Sequence, residues 1–135
     1  MRAMKSCIPI LLSMLILAPG SFSADRPEKA SSVKPIRHTV FFVLKHAPGS
    51  QEEKEFFQAA RKLAEIPTVK KFQALQEVSP KNKFTYGFSM EFADQADYNS
   101  YNQHPEHVKF VQEIWIKQVE DFMEIDYVAM PGKPD

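Results

Sequence analysis

The stretch Ile36-Arg-His-Thr-Val-Phe-Phe-Val-Leu-Lys45 decides the fold, because its side chains alternate between two faces that are both partly apolar. One face consists of Ile36, His38, Val40, Phe42 and Leu44. The opposite face carries Phe41 and Val43 among polar residues. Successive side chains of a strand point to opposite sides of a sheet. The stretch therefore predicts a strand that places apolar surface on both sides of its sheet.

The segments that follow predict a helix and two more strands. Ser50 and Glu53 form a capping box, and helical spacing of apolar residues continues until Pro67 ends the helix. A second strand is expected at about residues 70–78. The cleanest alternation in the chain, Phe84-Thr-Tyr-Gly-Phe-Ser-Met-Glu-Phe92, predicts a third strand packed on a core.

The second helical region is expected in two parts. Asp94 caps a short helix, and His104-Pro105 restarts a helix whose apolar stripe continues to Phe122. A last strand at about residues 123–129 completes the order β-α-β-β-α-β, which is typical of an α+β ferredoxin-like domain with a four-stranded antiparallel sheet. Helices in this arrangement cover only one face of the sheet.

The uncovered sheet face predicts a partner. Phe41 and Val43 lie on it, and apolar surface left in water is unfavourable by about 25 cal/mol for each Å². We therefore expect a homodimer in which two sheets face each other.

The first 23 residues have the features of a cleavable signal peptide. Arg2 and Lys5 precede an apolar run at residues 8–18, and Ser21-Phe-Ser23 supplies small residues for cleavage. About 11 apolar residues are too few to cross a hydrocarbon layer that needs roughly 20. The sequence therefore predicts a secreted or periplasmic protein with no stable membrane anchor after cleavage. Cys7, the one cysteine, would leave with the signal, so no disulfide is expected.

The mature chain is expected to hold one domain at residues 36–130. Residues 24–35 are polar with two prolines and predict a flexible linker, and residues 131–135 form a similar tail. Removing residues 1–23 lowers the 17 basic residues to 15 against 17 acidic ones, a net charge of −2. No element carries a basic excess, so neither nucleic acid nor an anionic membrane is predicted as a partner.

A tyrosine and two histidines surround the predicted helix break in Tyr101-Asn-Gln-His-Pro-Glu-His-Val108. Period-two counting places His38 and Tyr86 on the helix-facing sides of their strands, below this break. Tyr101, His107 and these two side chains are expected to converge on one cavity. A neutral imidazole takes a proton from an activated carbon, and a phenol donates to the oxygen where negative charge builds. Such a cavity suits enolate chemistry.

Plainer roles compete for several of these residues. His104, directly before Pro105, most simply satisfies the exposed amide groups of a helix start. His104 and His107 also have the spacing of a metal pair, but zinc needs at least three protein ligands and nothing at matching spacing completes the set. No metal or other cofactor is therefore predicted. The acidic residues near the last strand are expected to be solvated or edge-protecting charges: Asp121, Glu124 and Asp126.

Four segments carry a resemblance to a known family. They are Ile36 to Lys45, Phe84 to Phe92, Tyr101-x-x-His-Pro-x-His-Val108 and Ile125-Asp-Tyr127. Together they resemble the stress-responsive dimeric α/β barrel (Dabb) domain over about 95 residues. The resemblance implies a ferredoxin-like protomer that dimerises into a dimeric α/β barrel, in agreement with the sheet argument.

One branch of that family, the plant polyketide cyclases of the olivetolic acid cyclase type, implies a chemistry. Those enzymes perform an aldol condensation with a histidine base and a tyrosine of the Tyr-x-x-His-Pro-x-His segment. By position these catalytic roles fall on His107 and Tyr101. The resemblance also places pocket residues at His38, which is retained, and at Tyr86, which replaces a histidine. The candidate ligand-binding residues are His38, Tyr86 and His104.

Three functions of different classes remain as hypotheses. The first is an exported, dimeric binding or stress-associated module whose pocket holds a small apolar molecule without converting it. The second is a small lyase or polyketide-cyclase-like enzyme with His107 as base and Tyr101 as acid. The third, a cofactor-free monooxygenase, rests on fold analogy with neighbouring dimeric ferredoxin-like enzymes and predicts oxygen uptake with a quinol.

Overall fold

A computed structural model describes residues 34–132 of the chain. Its strands and α-helices follow in the order β1 (Ile36–Leu44), α1 (Gln51–Ala60), β2 (Lys70–Gln76), β3 (Tyr86–Phe92), α2 (Gln95–Gln103), α3 (Pro105–Phe110), α4 (Ile116–Gln118) and β4 (Val119–Val128). A 3₁₀ helix at Arg61–Glu65 follows α1, and a π-helical segment at Val111–Trp115 joins α3 to α4. The predicted signal peptide at residues 1–23, most of the predicted linker at 24–35 and the end of the tail at 131–135 lie outside the described residues.

The four strands form one antiparallel sheet in the order β2-β3-β1-β4. Strand β1 lies in the interior of the sheet and pairs with β3 on one side and β4 on the other. The predicted ferredoxin-like order of elements is therefore confirmed. No helix within residues 34–132 has the length and apolar character needed to cross a membrane.

The predicted start of the last strand is wrong. Val119 and Phe122 have helical spacing from Trp115 and were expected on a helix, yet β4 begins at Val119 and pairs Phe122 with Phe42. The backbone amide of Lys45 also donates to the carbonyl of Gln118 at 2.9 Å. Pairing with β1 satisfies these backbone groups, so tertiary hydrogen bonding outweighs the local apolar spacing.

The Ser50 and Asp94 side chains cap their helices as predicted, but the capping box is incomplete, because the Glu53 carboxylate accepts from the Gly49 amide and the Ser50 amide donates to the Ala47 carbonyl. The Ser50 hydroxyl accepts a hydrogen bond from the Glu53 amide at 3.2 Å, and the Asp94 carboxylate accepts one from the Asp97 amide at 2.9 Å. These bonds satisfy amide groups that have no partner inside the helix. Pro105 occupies the first turn of α3, where a missing amide hydrogen has no cost.

The core lies between the helices and one face of the sheet. Phe42 is fully buried, and its ring centroid lies 4.8 Å from that of Phe88 and 5.1 Å from that of Trp115. Phe56 of α1 packs on the same cluster at 5.5 Å. The helices therefore cover the face that the alternation in β1 assigned to the core.

The other face of the sheet retains apolar side chains. Met123 is 41% exposed opposite Phe41, and Leu75 and Tyr127 are also exposed. The Phe41 ring lies against Gly87, where an added Cβ would be 3.0 Å from it. Because Gly87 has no side chain, the Phe41 ring can lie close to the backbone of the sheet. The apolar surface on this face therefore projects little from the sheet.

Candidate functional site

A cavity of about 330 Å³ lies between the helix-facing side of the sheet and the second helical region. Its apolar lining includes Val40, Leu63, Phe88, Met90, Phe110 and Trp115. Its polar lining consists of His38, Tyr101, Asn102, His107 and Glu124. Three of the four side chains that were expected to converge, from residues 38, 101 and 107, therefore line one cavity.

The helix break brings Tyr101 and His107 together. Helix α2 ends at Gln103 and α3 begins at Pro105, so the chain turns between the two residues. Their ring centroids lie 4.2 Å apart. The Nδ1 atom of His107 lies 3.3 Å from the carbonyl oxygen of Asn102. Because a carbonyl oxygen only accepts, this contact places the proton of a neutral imidazole on Nδ1 and leaves Nε2 as an acceptor.

Burial affects the two side chains in complementary ways. Loss of water contact lowers the pKa of His107 below its usual value of 6.5, because burial disfavours the charged imidazolium. Burial also raises the pKa of Tyr101 well above its usual range, with a smaller contribution from the negative charge of Glu124. Near neutral pH His107 is thus a neutral proton acceptor, and Tyr101 keeps its proton.

His38 reaches the cavity from the middle of β1. The side chain is 6% exposed, and its Nδ1 atom lies 2.7 Å from Oδ1 of Asp126 and 3.9 Å from Oε1 of Glu124. The Asp126 carboxylate can only accept, so the hydrogen bond is donated by the Nδ1–H group of His38, and in the neutral ring Nε2 is then an acceptor. Its ring centroid lies 6.1 Å from that of Tyr101.

Sequence reasoning missed a polar cluster beside His38. The hydroxyl of Tyr98 lies 2.9 Å from Asp126 and 3.2 Å from Glu124. Burial and the hydrogen bond to Asp126 raise the pKa of Tyr98. Glu124 and Asp126 are partly solvated, as expected, but they lie on the helix-facing side of β4, opposite Val40 and His38. The two-residue spacing of these acids on an edge strand was the available signal.

Tyr86 does not line this cavity, so the expectation that it converges there is corrected. It lies on the helix-facing side of β3 as counted, but it pairs with Phe42, whereas His38 pairs with Met90. Tyr86 and Met90 are four residues apart on β3, which corresponds to roughly 13 Å. The Tyr86 side chain therefore lies at a different part of the sheet from His38. The Tyr86 hydroxyl donates to Glu53, and burial, followed by this bond, raises its pKa to about 12.

His104 occupies the helix start that its position before Pro105 predicted. Its Nδ1 atom accepts a hydrogen bond from the Glu106 amide at 3.2 Å, and the residue is not part of the cavity lining. The ring thus caps α3, which is the plainer of the two roles considered for it.

Comparisons with known proteins agree with this architecture. A family model described as Stress responsive A/B Barrel Domain matches residues 36–129. A Dabb family protein with a ferredoxin-like fold from Mesorhizobium loti is 54% identical, with a TM-score of 0.71, over 72% of this chain and 98% of that chain. No curated protein sequence shows a significant match to the chain.

Two more distant solved structures share the fold. A hydroxynitrile lyase from Passiflora edulis is 20% identical, with a TM-score of 0.66, over 75% of this chain and 98% of that chain. A dimeric ferredoxin-like protein of unknown function from Thermobifida fusca is 17% identical, with a TM-score of 0.62, over 73% of this chain and 93% of that chain.

The lowered pKa of His107 predicts a pH dependence of stability. Between the folded pKa and the unfolded value of 6.5, the unfolded chain binds the proton more readily. The stability associated with the neutral ring is therefore fully present above about pH 6.5 and decreases as the pH falls toward the folded pKa. Urea unfolding between pH 5 and 8 should show a smaller acid-side loss of unfolding free energy in His107→Gln than in the parent. Parallel profiles would contradict burial of a neutral His107.

Proposed function

The chain belongs to the stress responsive A/B barrel domain (Dabb) family. We propose that it is an exported, homodimeric protein whose cavity binds a small apolar molecule. The observation that carries the proposal is the cavity that His38, Tyr101 and His107 line together. Apolar walls with a few convergent polar groups are typical of small-molecule sites.

The size and lining of the cavity favour a compact ligand with one polar end. A volume of about 330 Å³ is near the lower end of ligand pockets, which span roughly 300–1,000 Å³. The Phe88, Phe110 and Trp115 side chains provide apolar surface for a hydrocarbon part. At the polar end, Nε2 of His107 can accept a hydrogen bond from the ligand, and the Tyr101 hydroxyl can donate one to it. A ketone or aldehyde with a short apolar tail matches this arrangement.

The homodimer is supported by the open face of the sheet. Phe41 and Met123 lie opposite each other on that face, which also carries Leu75 and Tyr127. Removing such side chains from water is favourable by about 25 cal/mol for each Å². The Thermobifida fusca protein with the same fold is described as dimeric. A second copy of the chain, which has the same apolar sheet face, is the simplest partner to cover this face, because twofold interfaces are self-complementary.

Export is supported by the sequence alone. The charged start, the short apolar run and the small residues before position 24 have the order of a signal peptide. An exported protein would bind its ligand outside the cytoplasm, where intermediates bound to coenzyme A are not expected.

Proton transfer is a second candidate function, favoured by the contact between Tyr101 and His107. A neutral imidazole acceptor and a phenol that keeps its proton stand 4.2 Å apart by ring centroids. In this reaction Nε2 of His107 takes a proton from the carbon next to a carbonyl, while Tyr101 donates to the carbonyl oxygen as it becomes an enolate. A hydroxynitrile lyase shares the fold at 20% identity, but at this level only the fold is transferred, so the proposal depends on the geometry.

Ligand binding is tested with 2-heptanone and the fluorescence of Trp115, the one tryptophan of the chain, which lines the cavity. We expect a saturable change in emission. Val111→Phe fills part of the cavity and should weaken binding about tenfold, which corresponds to lost contact with roughly two methylene groups. Val108→Phe, outside the cavity lining, is the matched control. No saturable change in the parent, or equal affinity in both variants, would rule out this cavity as the site.

The homodimer is tested by sedimentation of the mature protein. Met123→Glu places a carboxylate in the apolar sheet face, and burying an unpaired charge there is unfavourable, so we expect the mass of one subunit where the parent has twice that mass. Val108→Glu, an exposed apolar position on α3, should leave the dimer intact. A parent protein that stays at the mass of one subunit when concentrated would refute the proposed interface.

Proton transfer is tested by exchange of the α-hydrogens of 2-heptanone in D₂O, followed by NMR. We expect exchange above the buffer rate, and a loss of about 10²-fold or more in His107→Ala and Tyr101→Phe, as is usual for a lost acid–base group. Ligand binding without enhanced exchange, or exchange unchanged in both variants, would leave the protein as a binding module alone.

A further inference from the structure

We propose that His38, Glu124 and Asp126 form a binding site for a divalent transition-metal ion at the polar edge of the cavity. The cluster combines one imidazole with two carboxylates, and one ligand atom from each lies within 4.8 Å of the others. The inference concerns residues on β1 and β4 and does not depend on the cavity having an organic ligand.

The spacing of the three groups fits an ion of the size of Zn²⁺. Such an ion lies roughly 2.0–2.2 Å from nitrogen and oxygen ligands, so neighbouring ligand atoms in a tetrahedral site are about 3.3 Å apart. The distances from His38 Nδ1 are 2.7 Å to Asp126 and 3.9 Å to Glu124, values on either side of that separation. Each carboxylate oxygen would have to move by somewhat more than half an ångström relative to His38 Nδ1 to reach this separation, which rotation of the partly exposed acidic side chains allows.

The balance of hydrogen-bond donors and acceptors also favours a cation. Glu124 and Asp126 both face the single hydroxyl proton of Tyr98, and the imidazole of His38 supplies one further donor. Neither carboxylate forms an ion pair with a lysine or arginine within residues 34–132. The two carboxylates thus share one imidazole and one hydroxyl as their partners, and a metal ion would add positive charge at this acidic edge.

The ligand types narrow the choice of ion. Imidazole suits zinc, copper, iron and nickel, and carboxylates add hard oxygen ligands that zinc also accepts. His38 is nine-tenths buried in a fixed position on an interior strand, while the two acids come from the neighbouring strand. The rigid imidazole and the two movable carboxylates provide three protein ligands, so a tetrahedral ion would keep a fourth position for a further ligand. The carbonyl oxygen of a ligand would be polarised at that position.

Metal binding would change the role of His38. Coordination uses the Nδ1 lone pair, so the proton of the neutral ring moves to Nε2 and the hydrogen bond to Asp126 is replaced by a shared ion. The Nε2 atom then becomes a hydrogen-bond donor. The metal-free and metal-bound forms would therefore present different polar groups to the same ligand.

The test is calorimetric titration of the chelator-treated protein with Zn²⁺. We expect one ion per chain, with affinity reduced at least tenfold in Glu124→Gln and in Asp126→Asn. Both positions are partly exposed, so the variants should fold, which far-ultraviolet circular dichroism checks. Asp121→Asn is the matched control, because this acid lies on the same strand but pairs with Lys83. His104→Gln is the control for zinc held by another histidine.

The outcomes separate this inference from the proposed ligand pocket. No binding by the parent, or equal affinity in the parent, Glu124→Gln and Asp126→Asn, would overturn the metal site. Loss of affinity in His104→Gln but not in the cluster variants would overturn it as well. The 2-heptanone titration is carried out in the presence of chelator, so failure of the metal site leaves that result unaffected, and failure of ketone binding leaves the zinc titration unaffected.

Discussion

The interior position of β1 is the constraint on which the rest of the structure depends. This strand has β3 and β4 as hydrogen-bonded neighbours, and its alternate residues face the helices on one side and the open sheet surface on the other. Phe42 and Val40 anchor the core on the first side, and Phe41 marks the apolar surface on the second. One strand therefore determines both where the cavity forms and where a second copy is expected to bind.

The pairing of β1 with β4 also explains how polar side chains are stabilised beside an aromatic core. His38 lies two residues from Val40 on the core-facing side, and a buried imidazole needs hydrogen-bond partners. The neighbouring edge strand supplies Asp126 in direct register. Because β4 has water on its outer side, its carboxylates remain partly hydrated while they contact a buried ring. The site thus combines a rigid interior group with solvated acids.

The helix break adds the second half of the site. His104 and Pro105 end one helix and begin another, and this turn allows the rings of Tyr101 and His107 to meet over the sheet. Burial then lowers the pKa of the imidazole and raises that of the phenol. Acid–base character at neutral pH follows from the location of these side chains as well as from their identity.

The sequence alone determined the order of elements, the core face of β1 and the helix caps, because alternation, apolar spacing and capping residues are local properties. It also predicted that the side chains of His38, Tyr101 and His107 would line one cavity. Only the tertiary structure decided that β4 begins at Val119, that Tyr86 lies too far along its strand to reach the cavity, and that two acids meet His38. These features depend on strand register, and register is set by pairing between segments distant in sequence.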